Sequence, residues 1–238
     1  MSLQGGIIMK FIKRLLLFIL IILILIASFI IYNGHSMYKN AISEISLEKK
    51  VSNIRNDKNF VSIKEVPKYY YEAIIAVEDH RYRQHGAIDI ISIGRAIVSN
   101  IQAKELNEGG STITQQVAKN LYFITEYNFV YRKIAELILA FDLENNYSKE
   151  EILELYFNTI YFGEGYYGIR EASLGYYNKE PKDLSLYEAT LLAGVPNAPS
   201  VYAPTINPHL AKSRQEKVIR SMVEYGYLTQ EEANQITQ

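Results

Sequence analysis

The chain has 238 residues, of which 48% are hydrophobic and 21% are charged, and its formal net charge is −1. These values suit one globular domain with accessory segments, and the balanced charge argues against a nucleic-acid-binding protein, which would carry a strongly basic surface. The sequence contains no cysteine, which excludes a disulfide framework, thiol catalysis and a thiolate metal site.

An apolar segment near the N-terminus is predicted to be a transmembrane anchor. Residues 15–32 read LLLFILIILILIASFIIY and carry no charge. As a helix rising about 1.5 Å per residue, this segment comes close to spanning a hydrocarbon core of roughly 30 Å. The alternative is a cleaved signal peptide, whose apolar region is usually shorter, with Gly34 and Ser36 as a weak cleavage site.

Basic residues predict the orientation of this anchor. Those just before the apolar run are Lys10, Lys13 and Arg14. Because positive charge favours the cytoplasmic side, residues 1–14 are predicted to be cytoplasmic and the chain after Tyr32 to lie outside. We interpret residues 1–8 as a tag or a start-site extension, with Met9 as the natural start.

The remainder of the chain predicts a mainly α fold. Residues 33–60 are polar and are interpreted as a partly helical juxtamembrane stalk, which precedes a main domain over residues 61–238. Helical apolar periodicity, broken by Gly, Pro and Asn, defines the elements of this domain. The predicted helices are residues 69–77, 88–102, 111–121, 128–144, 149–158, 184–194, 208–226 and 229–238, with a chain break at 108–110. The apolar face of the second helix is marked by Ile90, Ile93, Ile97 and Ile101.

The segment AVEDHRYRQHG (76–86) contains the first candidate catalytic residue. Its apolar run ends in two adjacent carboxylates, Glu78 and Asp79. If the preceding helix continues, Glu78, Tyr82 and His85 share one face, at positions i, i+4 and i+7. A carboxylate that emerges from an apolar surround is a candidate general base, because desolvation raises the pKa of a carboxyl group. The alternative is a solvated helix end.

The segment GGSTITQQVAKN (109–120) provides a second constellation. Thr112 and Gln115 have the spacing of a capping box, which predicts a helix start. In that helix Thr112, Gln116 and Lys119 share a face, with Gln115 beside them. Hydroxyl, amide and ammonium groups suit a ligand rich in hydroxyls and phosphate. The alternative is a capped amphipathic helix with a polar outer side.

The segment YRKIAELILAFDLE (131–144) provides a third. Arg132 and Glu136 lie at i and i+4, and Lys133 and Glu136 at i and i+3. Arg132 and Lys133 are suited to a diphosphate, and Glu136 is a candidate second carboxylate of the same site. The alternative is a surface ion pair, worth only tenths of a kcal/mol.

Together these segments resemble the peptidoglycan glycosyltransferase family. The matching motifs, in order, are EDHRYRQHG, GGSTITQQVAKN, RKIAELILA, KEEILELYFNTIYFG, GIREASLGYYNK and LSLYEATLLAGVPNAPSVYAPTINP. The resemblance covers roughly residues 61–220, and its departures from the family pattern at Tyr82, Phe157 and Tyr177 are conservative. Members of this family occur as monofunctional transglycosylases or as the transglycosylase domain of class A penicillin-binding proteins.

This resemblance implies a lysozyme-like, α-helical large lobe with a smaller membrane-proximal jaw, preceded here by one transmembrane helix. The implied reaction is polymerisation of lipid II, with the growing lipid-linked glycan as donor and lipid II as acceptor. By analogy, Glu78 removes the proton from the 4-hydroxyl of the acceptor. The attack then displaces undecaprenyl diphosphate and inverts the anomeric carbon from α to β.

The resemblance also implies roles for the other candidate residues. Glu136 would be a second catalytic carboxylate near the donor, and Lys119, Arg132 and Lys133 would neutralise the charge of the leaving group. The remaining residues expected to bind substrate are Asp79, Tyr82, His85, Ser111, Thr112, Gln115, Gln116 and Asn120.

The implied partners are lipid II, the nascent lipid-linked glycan, the bilayer and other cell-wall synthesis proteins, without nucleic acid. The implied location is the bacterial plasma membrane, crossed once, with the catalytic domain outside. No cofactor and no protein-held metal are expected; a divalent cation, Mg²⁺ or Mn²⁺, is expected only with the substrate diphosphate. Apolar residues of the jaw, including the stretch Tyr122-Phe123-Ile124, are expected to add membrane affinity.

Two other functions are compatible with parts of the pattern. A lysozyme-like hydrolase or lytic transglycosylase also pairs carboxylates over a glycan, but needs neither the cations nor an anchor. A membrane-tethered wall-binding protein would not need Glu78 and Glu136. Transpeptidase activity is disfavoured, because Ser46 and Lys49 fit S-x-x-K but no K-T-G follows. The sequence leaves open whether the chain is complete or the front part of a bifunctional protein.

Overall fold

The computed structural model describes residues 3–103 and 109–237, so the predicted break at Glu108 falls partly outside the described residues. The α-helices are α1 (Leu3–Glu44), α2 (Leu47–Arg55), α3 (Lys68–Glu78), α4 (Ile90–Ala103), α5 (Ile113–Ala118), α6 (Phe129–Asn146), α7 (Lys149–Thr159), α8 (Ile169–Tyr177), α9 (Leu186–Gly194), α10 (Pro199–Tyr202), α11 (Pro208–Glu224) and α12 (Gln230–Thr237). A π-helical turn, Lys119–Phe123, continues α5. Short 3₁₀ turns occupy Ile63–Glu65, Tyr82–Gln84, Pro181–Asp183 and Val195–Asn197. The mainly α prediction is confirmed, since the described residues contain no strand, only an isolated bridge between Tyr161 and Tyr167.

Side-chain caps explain where several of these helices begin. Ser148 and Ser185 each form a reciprocal capping box with the glutamate three residues later. At the start of α5, Thr112 Oγ1 accepts the backbone N–H of Gln115 at 3.2 Å. The Gln115 side chain donates instead to the carbonyl of Ala87, at 3.0 Å, so the predicted capping box is only half formed.

The core of the domain lies between α3, α5, α7, α9 and α11. Their fully buried side chains include Tyr70, Ile74, Ile113, Val117, Ile152, Tyr156, Leu192 and Val218. Burial of each large apolar side chain stabilises the fold by roughly 1.5–3 kcal/mol, which fixes these helices against one another. The end of α3 and the start of α5 are therefore held side by side, and both open onto the same face of the domain.

Helix α1 runs unbroken from the apolar segment into the folded domain. By length and composition it could cross a membrane, and residues 9–29 are exposed. Beyond this stretch it packs on α6, where the buried Tyr38 donates a short hydrogen bond to Asp142. Val51 of α2 is also buried in the core. Residues 33–60 are thus part of the domain, and the predicted separate stalk is corrected to an integral docking segment.

A glycine allows the close approach of α1 to α6. A Cβ atom at Gly34 would lie only 2.4 Å from Ile134 Cβ, whereas a Cβ at Gly94, in α4, meets nothing within 4 Å. We expect Gly34→Ala to destabilise the domain by about 1–3 kcal/mol through overpacking. Gly94→Ala is the matched control and should be neutral or slightly stabilising, because alanine favours helix. Thermal unfolding of both variants in detergent tests this, and equal stability of the two would contradict the close packing.

Helix α3 ends at Glu78, earlier than the one-face hypothesis requires. Asp79 has φ −159° and ψ 69°, which are not helical angles, and the chain then enters a 3₁₀ turn at Tyr82. Glu78, Tyr82 and His85 therefore do not share one helix face, and that hypothesis is wrong. The reversal instead lets Asp79 contact the start of α5.

Helix α4 presents most of its predicted apolar face to the outside. Ile90 is 78% exposed and Ile101 is 72% exposed, and Ile97 is also exposed. Ile93 is half-buried beside Gly110. Most of this face therefore makes no packing contact with the described chain, although its residues have the spacing of a core-facing helix.

Candidate active site

A groove of about 640 Å³ opens between the end of α3, α5 with its π-helical turn, α6 and α11. Its lining includes Glu78, Ser111, Gln116, Lys119, Arg132, Lys133, Glu136 and Arg214. The three sequence constellations thus meet on one surface, although Glu78 and Glu136 are 58 residues apart in the sequence. All but Arg214 are residues that the sequence analysis selected.

Glu78 is held at the groove by two donors from other helices. Gln116 Nε2 donates to Glu78 Oε2 at 2.9 Å, and Arg214 Nη2 donates to Oε1 at 3.1 Å. The side chain of Glu78 is 11% exposed and that of Arg214 is 8% exposed, so the ion pair is largely screened from water. The surround of Glu78 is thus polar rather than apolar. Each oxygen keeps a lone pair with which to accept a further hydrogen from a ligand.

Arg214 was missed by the sequence analysis, although a signal was present. It lies on the buried face of α11, in line with Ala211, Val218 and Met222. A charged residue within an apolar stripe needs a buried partner, because an unpaired charge in the interior is costly. The sequence alone could not identify that partner, because Glu78 is 136 residues away.

Glu136 forms a second carboxylate centre, with basic partners. Its side chain is 2% exposed, and Lys133 Nζ lies 2.9 Å from Oε2. Arg132 Nε is 3.1 Å from Oε1, but the two atoms are not aligned for a hydrogen bond. Lys133 also donates to Ser111 Oγ at 2.8 Å. The ion pairs predicted from helical spacing are therefore present, and they face the groove.

Lys119 is a cation of the groove that remains available. It is exposed at the start of the π-helical turn, and no ion-pair partner for it occurs in the described part of the chain. π-Helical turns are frequent at functional sites because they re-aim side chains. An anion entering the groove could therefore bind Lys119 without displacing an existing partner.

The other selected residues are placed less directly. Asp79 and Gln115 reach the lining, whereas Tyr82, His85, Thr112 and Asn120 do not belong to it. Tyr82 is buried and its hydroxyl donates to the carbonyl of Lys149 at 2.7 Å. Asn120 Nδ2 is buried without a hydrogen-bond partner in the described residues. A role in substrate binding stays a prediction for these residues.

A hydrogen-bond network supports the groove behind Glu78. The two oxygens of Asp79 accept from the backbone N–H of Ile113, at 3.1 Å, and pair with His85 Nε2, at 2.7 Å. Burial disfavours the charged His85 imidazole, but its bonds to Asp79 and to the Gly86 carbonyl raise its pKa overall. The network joins the end of α3 to the start of α5, which fixes Glu78 relative to Gln116.

The same region contains the described cluster with metal-ligand spacing, formed by Asp79, His85 and Asp89. Its oxygens already have donors, since Asp89 accepts from Arg81 Nε at 3.0 Å and from Ser92 Oγ at 2.6 Å. A guanidinium this close would repel a divalent cation, so the cluster does not fit a resident metal. The cation expected with the substrate diphosphate stays a prediction.

Asp89 provides a pH-dependent test of this network. Burial disfavours the Asp89 carboxylate, but bonds from Ser92 and the charge of Arg81 lower its pKa from 3.8 to about 2. Because the pKa of Asp89 is lower in the folded state than in the unfolded state, its carboxylate stabilises the fold at pH values above the unfolded-state pKa. This stabilisation is lost as the pH falls toward the folded-state pKa. We expect Asp89→Asn to lower stability near neutral pH by about 2 kcal/mol.

The difference in the free energy of unfolding between Asp89→Asn and wild type should become smaller as the pH falls from 3.8 toward about 2. Denaturant unfolding at several pH values measures it, with the exposed Asp183→Asn as control. A difference independent of pH would show that the Asp89 charge does not stabilise the network.

Sequence analysis also missed the far end of the groove. There the His80 ring stacks on Tyr225 with centroids 4.2 Å apart, and Arg95 Nη1 lies 3.4 Å from His80 Nε2. Burial and then the charge of Arg95 lower the pKa of His80, which favours a neutral imidazole. This contact joins α4 to the end of α11 across the groove.

Comparison with known proteins identifies relatives of this sequence. The sequence matches the transglycosylase family over residues 46–223. It is 41% identical to penicillin-binding protein 1F of Bacillus subtilis (strain 168) over 239 residues, which cover 93% of this chain and 33% of that protein. It is 44% identical to penicillin-binding protein 1A of Neisseria flavescens over 178 residues, which cover 75% of this chain and 22% of that protein. The chain thus spans a third or less of the length of these relatives.

Among solved structures, penicillin-binding protein 1A from Haemophilus influenzae aligns with 75% of this chain and 17% of its own, at 21% identity and a TM-score of 0.46. A likeness of this size carries no argument about the present chain. The sequence match is different, because it includes the groove from Glu78 to Arg214 and also the segment before residue 61. By that match, over residues 46–223, the chain belongs to the transglycosylase family.

Proposed function

We propose that this chain is a peptidoglycan glycosyltransferase that polymerises lipid II into linear β-1,4 glycan strands. The observation that carries the proposal is the groove in which Glu78, held by Arg214 and Gln116, shares one surface with Lys119 and the Glu136 cluster. Glycosyl transfer from a lipid diphosphate needs a base for the attacking hydroxyl and cations for the leaving group. The carboxylate of Glu78 and the basic side chains of the groove support an assignment to these two roles.

In the proposed reaction the 4-hydroxyl of lipid II attacks the anomeric carbon of the lipid-linked glycan. The new bond joins the acceptor oxygen to that carbon, and the bond from the carbon to the diphosphate breaks with inversion. Glu78 takes the hydroxyl proton, and undecaprenyl diphosphate leaves with the bonding electron pair. Lys119, with Arg132 and Lys133, would stabilise the charge that develops on the diphosphate.

The lytic and hydrolytic alternatives differ in what they require. A glycan-cleaving enzyme acts on a polymer without a diphosphate and gains nothing from Lys119 or from the two basic residues that contact the second carboxylate. A non-catalytic wall-binding protein would have no use for a base held by two donors. The groove therefore favours transfer from a lipid diphosphate over both alternatives.

Incubation of the full chain in detergent with labelled lipid II tests the proposal. We expect polymer that a muramidase degrades to disaccharide units. Release of fragments from preformed glycan, without polymer from lipid II, would establish a lytic enzyme instead. Neither polymer nor fragments from a folded protein would contradict both enzymatic functions.

We further propose that α1 anchors the chain in the plasma membrane with its N-terminus cytoplasmic. Exposed apolar side chains outside α1 would add contacts to the bilayer. They are Ile90, Ile91, Ile97, Val98 and Ile101 on α4, with Ile124, Tyr127, Phe129 and Val130 before and within α6. The expectation that Phe123 adds membrane affinity is corrected here, because this side chain is 1% exposed and packs in the core.

Deletion of residues 1–32 should leave a folded domain, because it keeps the buried part of α1 from Gly34 onward and removes an edge contact of the exposed Phe29 with Tyr131. We expect polymerisation in detergent to persist and polymerisation on bilayers to slow, since the anchor raises the local concentration of enzyme at its substrate. Flotation with liposomes should show residual binding that Ile97→Glu with Ile101→Glu reduces. Bilayer activity unchanged by the deletion would contradict the role of α1 as a tether.

A further inference from the structure

A second cavity lies apart from the groove, where α1 enters the domain. Its volume is about 430 Å³, and it shares no lining residue with the groove. The end of α1, Lys50 of α2, the π-helical turn and the start of α6 surround it. The lining residues are Asn33, Ser36, Met37, Asn40, Ala41, Glu44, Ile45, Lys50, Leu121, Tyr122, Phe123, Glu126 and Tyr131.

The position of the cavity along α1 indicates how far its lining residues lie from the hydrocarbon boundary of the bilayer. Asn33, Met37, Asn40 and Glu44 follow one another on one face of α1. Asn33 comes directly after the apolar segment, and a helix rises about 1.5 Å per residue. The part of the cavity from Asn33 to Met37 therefore lies within roughly 6 Å of the hydrocarbon boundary, which is the depth of phospholipid headgroups.

The cavity is lined by charged side chains of both signs that form no ion pair in the described part of the chain. Lys50 Nζ lies over the Tyr122 ring, 5.6 Å from its centroid, and the Tyr122 hydroxyl donates to the Ile45 carbonyl. Within residues 3–103 and 109–237, no ion pair is formed by the side chains of Lys50, Glu44 or Glu126. One ammonium and two carboxylates around one cavity suit a ligand that has an anionic and a cationic group. A purely anionic headgroup would meet a net negative lining.

An apolar track leads from this cavity along the predicted membrane face. Phe29 is 60% exposed, and its ring contacts that of Tyr131 edge-on, with centroids 6.3 Å apart. Val130, next to Tyr131, is 47% exposed. Phe29 lies one helical turn below Asn33, so an acyl chain could run along these side chains while its headgroup occupies the cavity.

We propose that this cavity binds the headgroup of a phospholipid that carries a primary ammonium group, of the phosphatidylethanolamine class. Its phosphodiester would contact Lys50, and its ammonium would donate to Glu44 and Glu126. Ser36 and Asn40 line the cavity between Asn33 and Glu44, which lies about 16 Å further along α1, and would supply further polar contacts to a lipid that rises from the bilayer into the cavity. This inference rests on the proposed membrane anchoring, and it assigns to the end of α1 a ligand distinct from the substrate of the groove.

Native mass spectrometry of the full chain in detergent, titrated with defined lipids and without lipid II, tests the proposal. We expect dioleoyl-phosphatidylethanolamine to be retained more strongly than dioleoyl-phosphatidylglycerol, which lacks the ammonium, and dioleoyl-phosphatidylcholine, whose quaternary nitrogen cannot donate. Glu44→Gln combined with Glu126→Gln should weaken retention of the ethanolamine lipid about tenfold, and so should Lys50→Gln. Glu48→Gln and Lys49→Gln, exposed neighbours outside the cavity, are the matched controls and should leave retention unchanged.

Equal retention of the three lipids by the wild type would overturn the proposal, as would cavity variants that behave like the controls while their circular dichroism stays native. Glycerophosphoethanolamine that binds as tightly as the lipid would overturn the lipid as ligand. Cross-linking of Lys50 to another membrane polypeptide in place of lipid would also overturn it. Co-sedimentation with vesicles tests anchoring separately, and polymer formation tests the groove, so failure of either is distinguishable from failure of this site.

Discussion

Glu78→Gln is expected to lower lipid II polymerisation by about 10²–10⁴-fold and to leave the fold intact. Glutamine has the shape of glutamate, so it can still fill the space between Arg214 and Gln116 and accept from Arg214. What it lacks is the ability to take a proton from the attacking hydroxyl. The loss should therefore appear in the rate of transfer.

Turnover of labelled lipid II by purified wild type and variant measures this effect, with circular dichroism to establish that both are folded. Glu231→Gln, on the exposed surface of α12, is the matched control for the loss of one carboxylate. A Glu78→Gln variant with near-wild-type turnover would exclude Glu78 as the base. Arg214→Ala is a poorer test, because it would leave Glu78 largely buried and without its cation.

Helical periodicity was sufficient to locate most of the elements around the groove. The predicted helices 69–77 and 149–158 lie within one residue of α3 and α7 at each end. Their buried faces follow the 3.6-residue period, and serine or proline marks their beginnings. Periodicity also placed Arg132 and Lys133 beside Glu136, because residues three and four apart on a helix are neighbours.

Helix α8 shows where this kind of inference stops. Helical periodicity does not predict it, although its sequence, GIREASLGYYNK, resembles a motif of the family. The helix is short, contains a glycine, and lies between Gly168, with φ +81°, and Asn178, which adopts a left-handed cap. A nine-residue helix of this kind is stabilised by tertiary packing, of Ile169 and Ala172 for example, which the local sequence does not reveal.

The errors around the site have a similar cause. Continuation of α3 into Tyr82 was plausible from spacing, but Asp79 turns out of the helix to accept from Ile113, 34 residues away. The segment 33–60 is interpreted as a stalk because it is polar, carries charges of both signs and has no cluster of turn residues. Its docking depends on Gly34 and Tyr38 meeting α6, which is distant in sequence. Each case is a long-range contact that prevails over a local preference.

Lys119→Ala is expected to lower polymerisation from lipid diphosphate donors by about 10²–10³-fold. The structure distinguishes Lys119 from Arg132 and Lys133, the other two basic residues proposed to bind the diphosphate. Arg132 and Lys133 both already contact Glu136, whereas Lys119 is exposed and has no ion-pair partner within the described chain. The positive charge of Lys119 is therefore fully available to the diphosphate, and its removal should cost more in the transition state, where that charge increases, than in binding of the donor.

The measurement is the initial rate over a range of donor concentrations for Lys119→Ala, Arg132→Ala and Lys182→Ala. Lys182 is exposed and lies outside the groove lining, so it controls for the loss of one surface ammonium. Lys119→Ala should reduce kcat more than it raises KM, and Lys119→Arg should restore part of the rate because it restores the charge. Arg132→Ala should combine a loss of rate with a loss of stability, since Glu136 would keep only Lys133 as a basic partner. If all three alanine variants show the same mild effect, the leaving group does not bind at Lys119, and the diphosphate site has to be sought elsewhere in the groove.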